Sequence, residues 1–404
     1  MNFKKKLALL LAALSLFGSG AEAQNQTINT STREKLCDRI VRLSREKSVK
    51  LDNNLPAAGR MIIPCYTAED FAQKKKLKTI PQDWGGKLIF SDCPEYVKEP
   101  GILYRDIICG EARVYYYHLN DTRENYKLAV VLESASGKGT IVTVKKGVIS
   151  DHIWNSGNYF HIGRGMQLEW FSEKSELNQP LYVGGSGKLL SLKMDQRVLK
   201  PTELVGGAFD FVTAEPVRVT VLMYPAKERP LEYLPKAKVL PRDKSSLRGT
   251  YEKMNRTLRL ERPYNPETDK IACIDLANNR SDVFLRGIDA TDGKPSTDYG
   301  NYGVDYRIEV KVSTAGRTHY YLTPLGTVFG GAIRVHYGEK GQNTALFVTP
   351  ERRGEFERND EDFLDLGSYD NKERLWFDFS PPGGSNLPAR IVMVPESYRG
   401  LAPN

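Results

Sequence analysis

Apolar residues along this chain alternate with polar ones far more often than they recur at helical spacing, in short runs separated by glycine, proline and Asn/Asp turns. Residues 101–108, 113–119, 126–133 and 139–148 are strand-length and rich in Val, Ile, Tyr and Leu, and 87–90, 188–193, 207–212 and 217–224 read the same way. After residue 247 the texture returns at 250–260, 306–313, 318–322, 332–337 and 344–348. Connections this short impose antiparallel pairing. Helical spacing is confined to a few places. Ser31 and Glu34 form a capping box ahead of Leu36, Ile40, Val41 and Leu43, a short helix is predicted at 68–75, and Phe160, Ile162, Met166, Leu168 and Phe171 make a stripe within 159–174. The expected fold is mainly β, with two tandem antiparallel β-sandwich-like domains and a small α+β N-terminal appendage.

The same pattern sets the expected boundaries. Lys4, Lys5 and Lys6 precede an apolar run from Leu7 to Phe17 and then Ala21-Glu22-Ala23, the layout of a signal peptide over residues 1–23. The appendage then covers 24–98, the first β domain 99–225 and the second 247–404. Between them, 226–246 holds Pro230, Pro235 and Pro241 among many charges and reads as a semi-rigid linker. An internal echo supports two related domains. Phe209-Asp210-Phe211 leads to Pro216-Val217-Arg218-Val219, and Phe377-Asp378-Phe379 leads to Pro388-Ala389-Arg390-Ile391, each predicted to be a closing β-hairpin.

Composition adds an address. The leader predicts export, to a periplasm, the cell surface or the medium, with no transmembrane anchor after cleavage. Loss of Lys4, Lys5, Lys6 and Glu22 lowers the formal charge from +8 to +6, a mild balance with scattered basic residues that speaks against nucleic acid as a partner. Export permits disulfides. Cys37, Cys65, Cys93 and Cys109 can form two bridges by three pairings, while Cys273 lies in an apolar strand-like context and reads as a buried thiol.

Local chemistry is sparse. No pair among His118, His152, His161, His319 and His336 has the i, i+4 spacing of a helical metal site. His118 alternates with Tyr115, Tyr116 and Tyr117 on a strand and is expected to pack or hydrogen-bond across strands, as is His319 beside Tyr320 and Tyr321. The glycine-lysine stretches at 136–139 and 184–188 lack the phosphate-loop spacing and read as turns, and Gly330-Gly331 reads as a bulge or a close backbone approach. Asp289, Asp292, Asp298, Asn301 and Asp305 form an oxygen-rich glycine loop, for which turn formation is preferred over calcium binding. No metal or other cofactor and no catalytic residue is assigned. Tyrosine is the feature that leans toward binding, with Tyr299, Tyr302 and Tyr306 in a glycine loop, or Trp154 and Tyr159, as aromatic platforms for sugar rings or peptides.

The run Gly101-Ile-Leu-Tyr-Arg-Asp, then Gly110 to Asn120, Leu247-Arg248-Gly249-Thr250, Gly300-Asn301-Tyr302-Gly303, Tyr321 to Gly326 and Phe379 to Pro388 resemble the recurrent stretches of a family of exported bacterial proteins of unknown function. Members are often labelled by a copper amine oxidase N-terminal-like domain, a small envelope-associated module without catalytic copper, and Gly59-Arg60-Met61-Ile62-Ile63-Pro64 resembles that module. The resemblance implies export and two β domains, and no reaction, ligand or catalytic residue. The resulting expectation is a non-enzymatic envelope-associated protein that binds cell wall, a surface glycan or another envelope protein. The alternative is an envelope hydrolase acting on glycan with carboxylates dispersed in sequence.

Overall fold

Strand Lys87–Ser91 shows how the chain is organised, because both of its faces are buried: Leu88 and Phe90 point into one core and Ile89 into another. A strand with no solvated face needs layers on both sides. The computed structural model describes residues 57–58, 74–150, 159–350 and 363–398, all within a unit spanning residues 51–404. These residues are mainly β, as the alternation predicted.

Three sheets carry the fold. The largest has eleven strands and is ordered 188–189, 126–134, 204–225, 101–120, 87–91, 248–251, 286–289 and 294–297, with 96–97 paired to 101–120, 140–149 paired to 204–225, and 176–183 paired to 140–149. A seven-stranded sheet contains 79–84, 255–260, 305–310, 332–337, 343–348 and 375–379, and a five-stranded sheet contains 272–276, 317–324, 364–370 and 389–395. Helix Phe160–Trp170 buries Phe160, Ile162 and Met166 of the predicted stripe together with Trp170, while Leu168 is half-buried.

The expected boundaries do not follow these sheets. Strand Lys87–Ser91, placed in the appendage, pairs parallel with Gly101–Asn120 and antiparallel with Arg248–Tyr251, so one sheet runs through appendage, first domain and second domain. Strand Thr79–Trp84 pairs with Asn255–Leu260. The predicted 250–260 strand is two strands in two sheets, Arg248–Tyr251 and Asn255–Leu260. Residues 226–246 are packed chain rather than a free linker: Ile102 N–H donates to Lys238 O at 2.8 Å, Leu240 N–H donates to Ile102 O at 2.9 Å, and Leu240 is buried.

The two predicted hairpins are also absent. Leu204–Pro225 is one 22-residue strand whose register slips between Thr213 and Val217, so Pro216 occupies a bulge, where a missing N–H breaks no regular ladder bond. Its partner Gly101–Asn120 continues past Gly110, at φ 88°, for the same reason. In the C-terminal echo, Leu375–Phe379 and Ala389–Pro395 belong to different sheets, and the chain between them crosses from one to the other. What the two Phe-Asp-Phe stretches share is a cross-strand ion pair. Asp210 takes Arg113 at 2.6 Å and Asp378 takes Arg334 at 2.7 Å, each from the residue directly opposite.

Buried arginines join segments that are distant in sequence. Arg113 also reaches Asp305 at 2.9 Å, and Arg256 holds Asp83 at 2.6 Å and Asp282 at 2.5 Å. Arg248 bonds Asp289 at 2.7 Å and the carbonyls of Leu240 and Leu103 at 2.8 and 3.1 Å. The leader, the helix from residue 31 and most of the predicted 68–75 helix lie outside the described residues. At the end of the latter, Lys75–Lys76 is a strand paired with Ala272 and Cys273.

No disulfide joins the described cysteines, so the pairing of Cys93 with Cys109 is not seen. Cys93 is buried and its thiol donates to Asp243 Oδ1 at 3.2 Å, whereas Cys109 is exposed at the bulge with its thiol on Ala214 O at 3.4 Å. Cys37 and Cys65 lie outside the described residues. Cys273 is buried, and burial pushes its thiol up to about 11.

Candidate functional site: an acidic aromatic cavity

Where strand Lys87–Ser91 ends, residues 91–95 turn over the strand beside it, and the turn is held from several sides. His118 is fully buried, with Nδ1 2.9 Å from Pro94 O and Nε2 2.9 Å from Ser91 Oγ. Because a carbonyl only accepts, Nδ1 carries the proton and Nε2 accepts from the Ser91 hydroxyl. Burial lowers the His118 pKa to about 4, so the ring is neutral at ordinary pH. This is the cross-strand role expected for it. Asp92 N–H donates to Leu247 O at 3.0 Å, Glu95 N–H to Asp243 Oδ2 at 3.0 Å, and Leu119 N–H to Glu95 O at 2.8 Å.

This turn forms part of the wall of a cavity of about 300 Å³. The rest of the wall is largely aromatic: Phe90, Tyr115, Tyr117, Tyr159, Phe160 and Tyr302. The Phe90 and Tyr302 rings are nearly parallel, 6.3 Å apart, and Tyr115 is tilted against Phe90 at 5.7 Å. Alternation along Gly101–Asn120 explains two of the six, since Tyr115 and Tyr117 share a face while Tyr116 points into the other core.

Residues 383–386 complete the enclosure by close approach of backbone to rings. Tyr117 Oη donates to Tyr159 O at 2.7 Å, Tyr302 Oη donates to Ser385 O at 2.6 Å, and Tyr115 Oη accepts from Gly383 N–H at 3.1 Å. At Gly384, φ is 73° and a Cβ would lie 2.4 Å from Tyr117 Oη and 2.7 Å from the Tyr159 carbonyl, so glycine is required both by conformation and by space. Ser385 Oγ is spent on Gly330, accepting from its N–H at 2.9 Å and donating to its carbonyl at 3.1 Å.

With those hydroxyls engaged, the carboxyls stand out. Asp92 Oδ1 is buried with no hydrogen-bond partner, as is Oδ2 of the nearby, fully buried Asp298. Burial raises the Asp92 pKa well above the usual carboxylate range, and the neighbouring charges of Glu95, Asp243 and Asp298 push the same way. Glu95 is raised by burial and by Asp243, and Asp298 by burial against the opposing bond from Tyr302 N–H. Among the described residues no Lys, Arg or His lines the cavity. Arg248, which passes near this turn, is committed to Asp289 and to backbone carbonyls.

Of the tyrosines singled out in sequence, Tyr302 and Tyr159 line this cavity. Tyr306 is a core residue, 2 % exposed, whose hydroxyl accepts from Asn301 Nδ2 at 2.6 Å. Tyr299 is exposed and meets Phe284 edge-on, away from the cavity wall. Trp154 lies outside the described residues. The oxygen-rich loop at 289–305 spends most of its oxygens on the protein, Asp298 Oδ2 being the exception: Asp289 on Arg242 and Arg248, Asp292 on Arg242, Asp298 Oδ1 on Tyr302 N–H at 2.9 Å, and Asn301 on Leu285 N–H at 2.8 Å. Among the described residues no group of three or more His, Cys, Asp or Glu side chains is placed to hold a metal. Asp92 and Glu95 were missed in sequence because nothing local to Asp92-Cys93-Pro94-Glu95 reveals that the turn folds inward.

Four of the segments on which the family resemblance rests meet here. They supply Tyr115 and Tyr117, Leu247, Tyr302, and Gly383 with its three following residues. The site therefore defines the chain as a mainly β protein with an acidic, aromatic-walled cavity built where distant segments converge. No protein-family model matches the chain, and no curated protein does. Among solved structures it is similar to the oxalate decarboxylase of Bacillus subtilis at 10% identity over 79% of each chain, with a TM-score of 0.12, a likeness that carries no argument.

Proposed function

We propose that this is an exported, non-enzymatic protein of the cell envelope, and that the cavity between Asp92, Tyr302 and Gly384 is where it binds cell-wall material, a surface glycan or a group on another envelope protein. The observation that carries this reading is the cavity itself, an aromatic wall fixed by hydrogen bonds to Tyr159, Gly383 and Ser385 before any ligand arrives. Preorganisation of this kind favours binding because little ordering remains to be done. The leader supports the address, and no helix among the described residues is long and apolar enough to cross a membrane.

Co-sedimentation of the full chain with isolated cell-wall material, at two salt concentrations, tests the proposal. Binding that resists salt and weakens roughly tenfold in Gly384→Ala, with the fold checked by circular dichroism, is the expected result. Absence of wild-type binding, or equal binding by the variant, refutes it. A second reading, hydrolysis of an envelope glycan, draws on Asp92 and Glu95, one of which could deliver a proton. Release of reducing ends by wild type and not by Glu95→Gln would favour that reading over pure binding.

A further inference from the structure

Carboxyl oxygen is the polar group that the cavity's own hydrogen bonds leave least satisfied. The Tyr117 and Tyr302 protons are given to carbonyls, Ser385 Oγ is used on Gly330, and Asn386 Nδ2 donates to Thr327 Oγ1. Asp92, in the cavity wall, carries a buried oxygen, Oδ1, with no hydrogen-bond partner, while Tyr115 Oη accepts from Gly383 N–H and keeps its own proton uncommitted. Carboxylates accept, and the remaining walls are ring faces, whose quadrupoles attract positive charge.

Charge balance points the same way. Beyond burial, Glu95, Asp243 and Asp298 raise the proton affinity of Asp92, and Asp243 raises that of Glu95. Asp243 itself, against the effect of burial, is held below the usual carboxylate range by hydrogen bonds, and the charge of Arg256 opposes the rise at Asp298. No ion pair to a Lys, Arg or His is formed by any of the four among the described residues. Asp243 is satisfied by Cys93, Ser245 and the backbone N–H groups of Glu95 and Ser246, all uncharged donors. The groups facing Asp92 from other elements are Tyr115, Tyr117 and Tyr302, and His118 beneath the turn is held neutral. Asp92 and Glu95, removed from water with no cation paired to them, must either hold protons or receive a positive charge from outside.

Resting on the reading of this cavity as the binding site, we propose that the group it takes is an organic ammonium cation, primary or quaternary, carried by a ligand of the envelope. A hard inorganic cation needs six or more oxygens in its shell, and ring faces cannot supply them. A neutral sugar would leave the acids uncompensated. An ammonium group supplies donors or methylene hydrogens to Asp92 and Glu95, meets the faces of Phe90, Tyr115 and Tyr302, and fits a cavity of about 300 Å³.

Isothermal titration of the full chain with choline and cyclohexylamine, against their neutral isosteres 3,3-dimethylbutan-1-ol and cyclohexanol, tests the charge. The ammonium ligands are expected to bind at least about tenfold more tightly than the alcohols. Affinity should rise with pH as the acids ionise, and each binding event should release protons, seen as a heat that changes with the buffer's ionisation enthalpy. Asp92→Asn and Glu95→Gln should each weaken ammonium binding by about tenfold while remaining folded. Equal affinity for the alcohols overturns the ammonium assignment and leaves the cavity as a binding site. Failure of every probe, with cell-wall binding still lost in Gly384→Ala, also overturns the assignment alone. Failure of every probe with cell-wall binding unchanged in that variant overturns both.

Discussion

Asp92→Asn should make the unliganded protein more stable as pH rises. The wild-type carboxyl is buried, lacks a partner on Oδ1 and faces the charges of Glu95, Asp243 and Asp298, so its folded pKa is raised well above the ordinary value of 3.8. Between those two values the native protein keeps a proton that the unfolded chain has released. Stability therefore falls as pH climbs through the window, by up to about 1.4 kcal/mol per pH unit for one group. Below the window both states are protonated and the cost vanishes, and above it the full cost persists. The amide variant has no such slope. Glu95, raised by burial and Asp243, and His118, lowered by burial, contribute to both proteins and largely cancel in the difference. Urea unfolding midpoints from pH 4 to 8, converted with a common m-value, should show the variant gaining on wild type, with a divergence that steepens toward about 1.4 kcal/mol per pH unit. Profiles that stay parallel would refute the reasoning, because an acid that ionises as easily folded as unfolded is not buried among uncompensated charges.

Two further outcomes follow from the packing. Arg256→Met should cost about 3–5 kcal/mol in unfolding free energy, since it strips the guanidinium from fully buried Asp282 and from Asp83, and a loss under about 1 kcal/mol would show that the clamp carries little. Native alkylation followed by peptide mapping should label Cys109 and spare Cys93 and Cys273, whose thiols burial pushes up to about 12 and about 11. Protection of Cys109 in the native protein and its release by reductant would instead mean that it is bridged.

Tyr302 and Glu95 illustrate what could be read from the chain alone and what could not. A period of two with β-branched and aromatic residues is a property of the backbone pleat, so sequence by itself determined that the protein is mainly β, that 160–170 is helical, and that residues such as Ala332–Tyr337 form strands. Sequence also marked Tyr159, beside Trp154, and Tyr302 as candidate aromatic platforms, without separating Tyr302 from Tyr306 in the same glycine loop. Which strands are neighbours is a different matter. Bulges at Gly110 and Pro216 carry single strands through what look locally like turns, and the aligned neighbours that decide between bulge and turn lie up to a hundred residues away. For the same reason Arg248–Tyr251 could join the sheet of Gly101–Asn120 through Lys87–Ser91, erasing the expected boundaries. The acidity of the cavity belongs to tertiary structure altogether. A carboxyl is an ordinary solvated acid until the fold removes its water, and only the meeting of residues 92–95 with Tyr115, Tyr302 and Gly384 makes Asp92 a buried acceptor waiting for a donor.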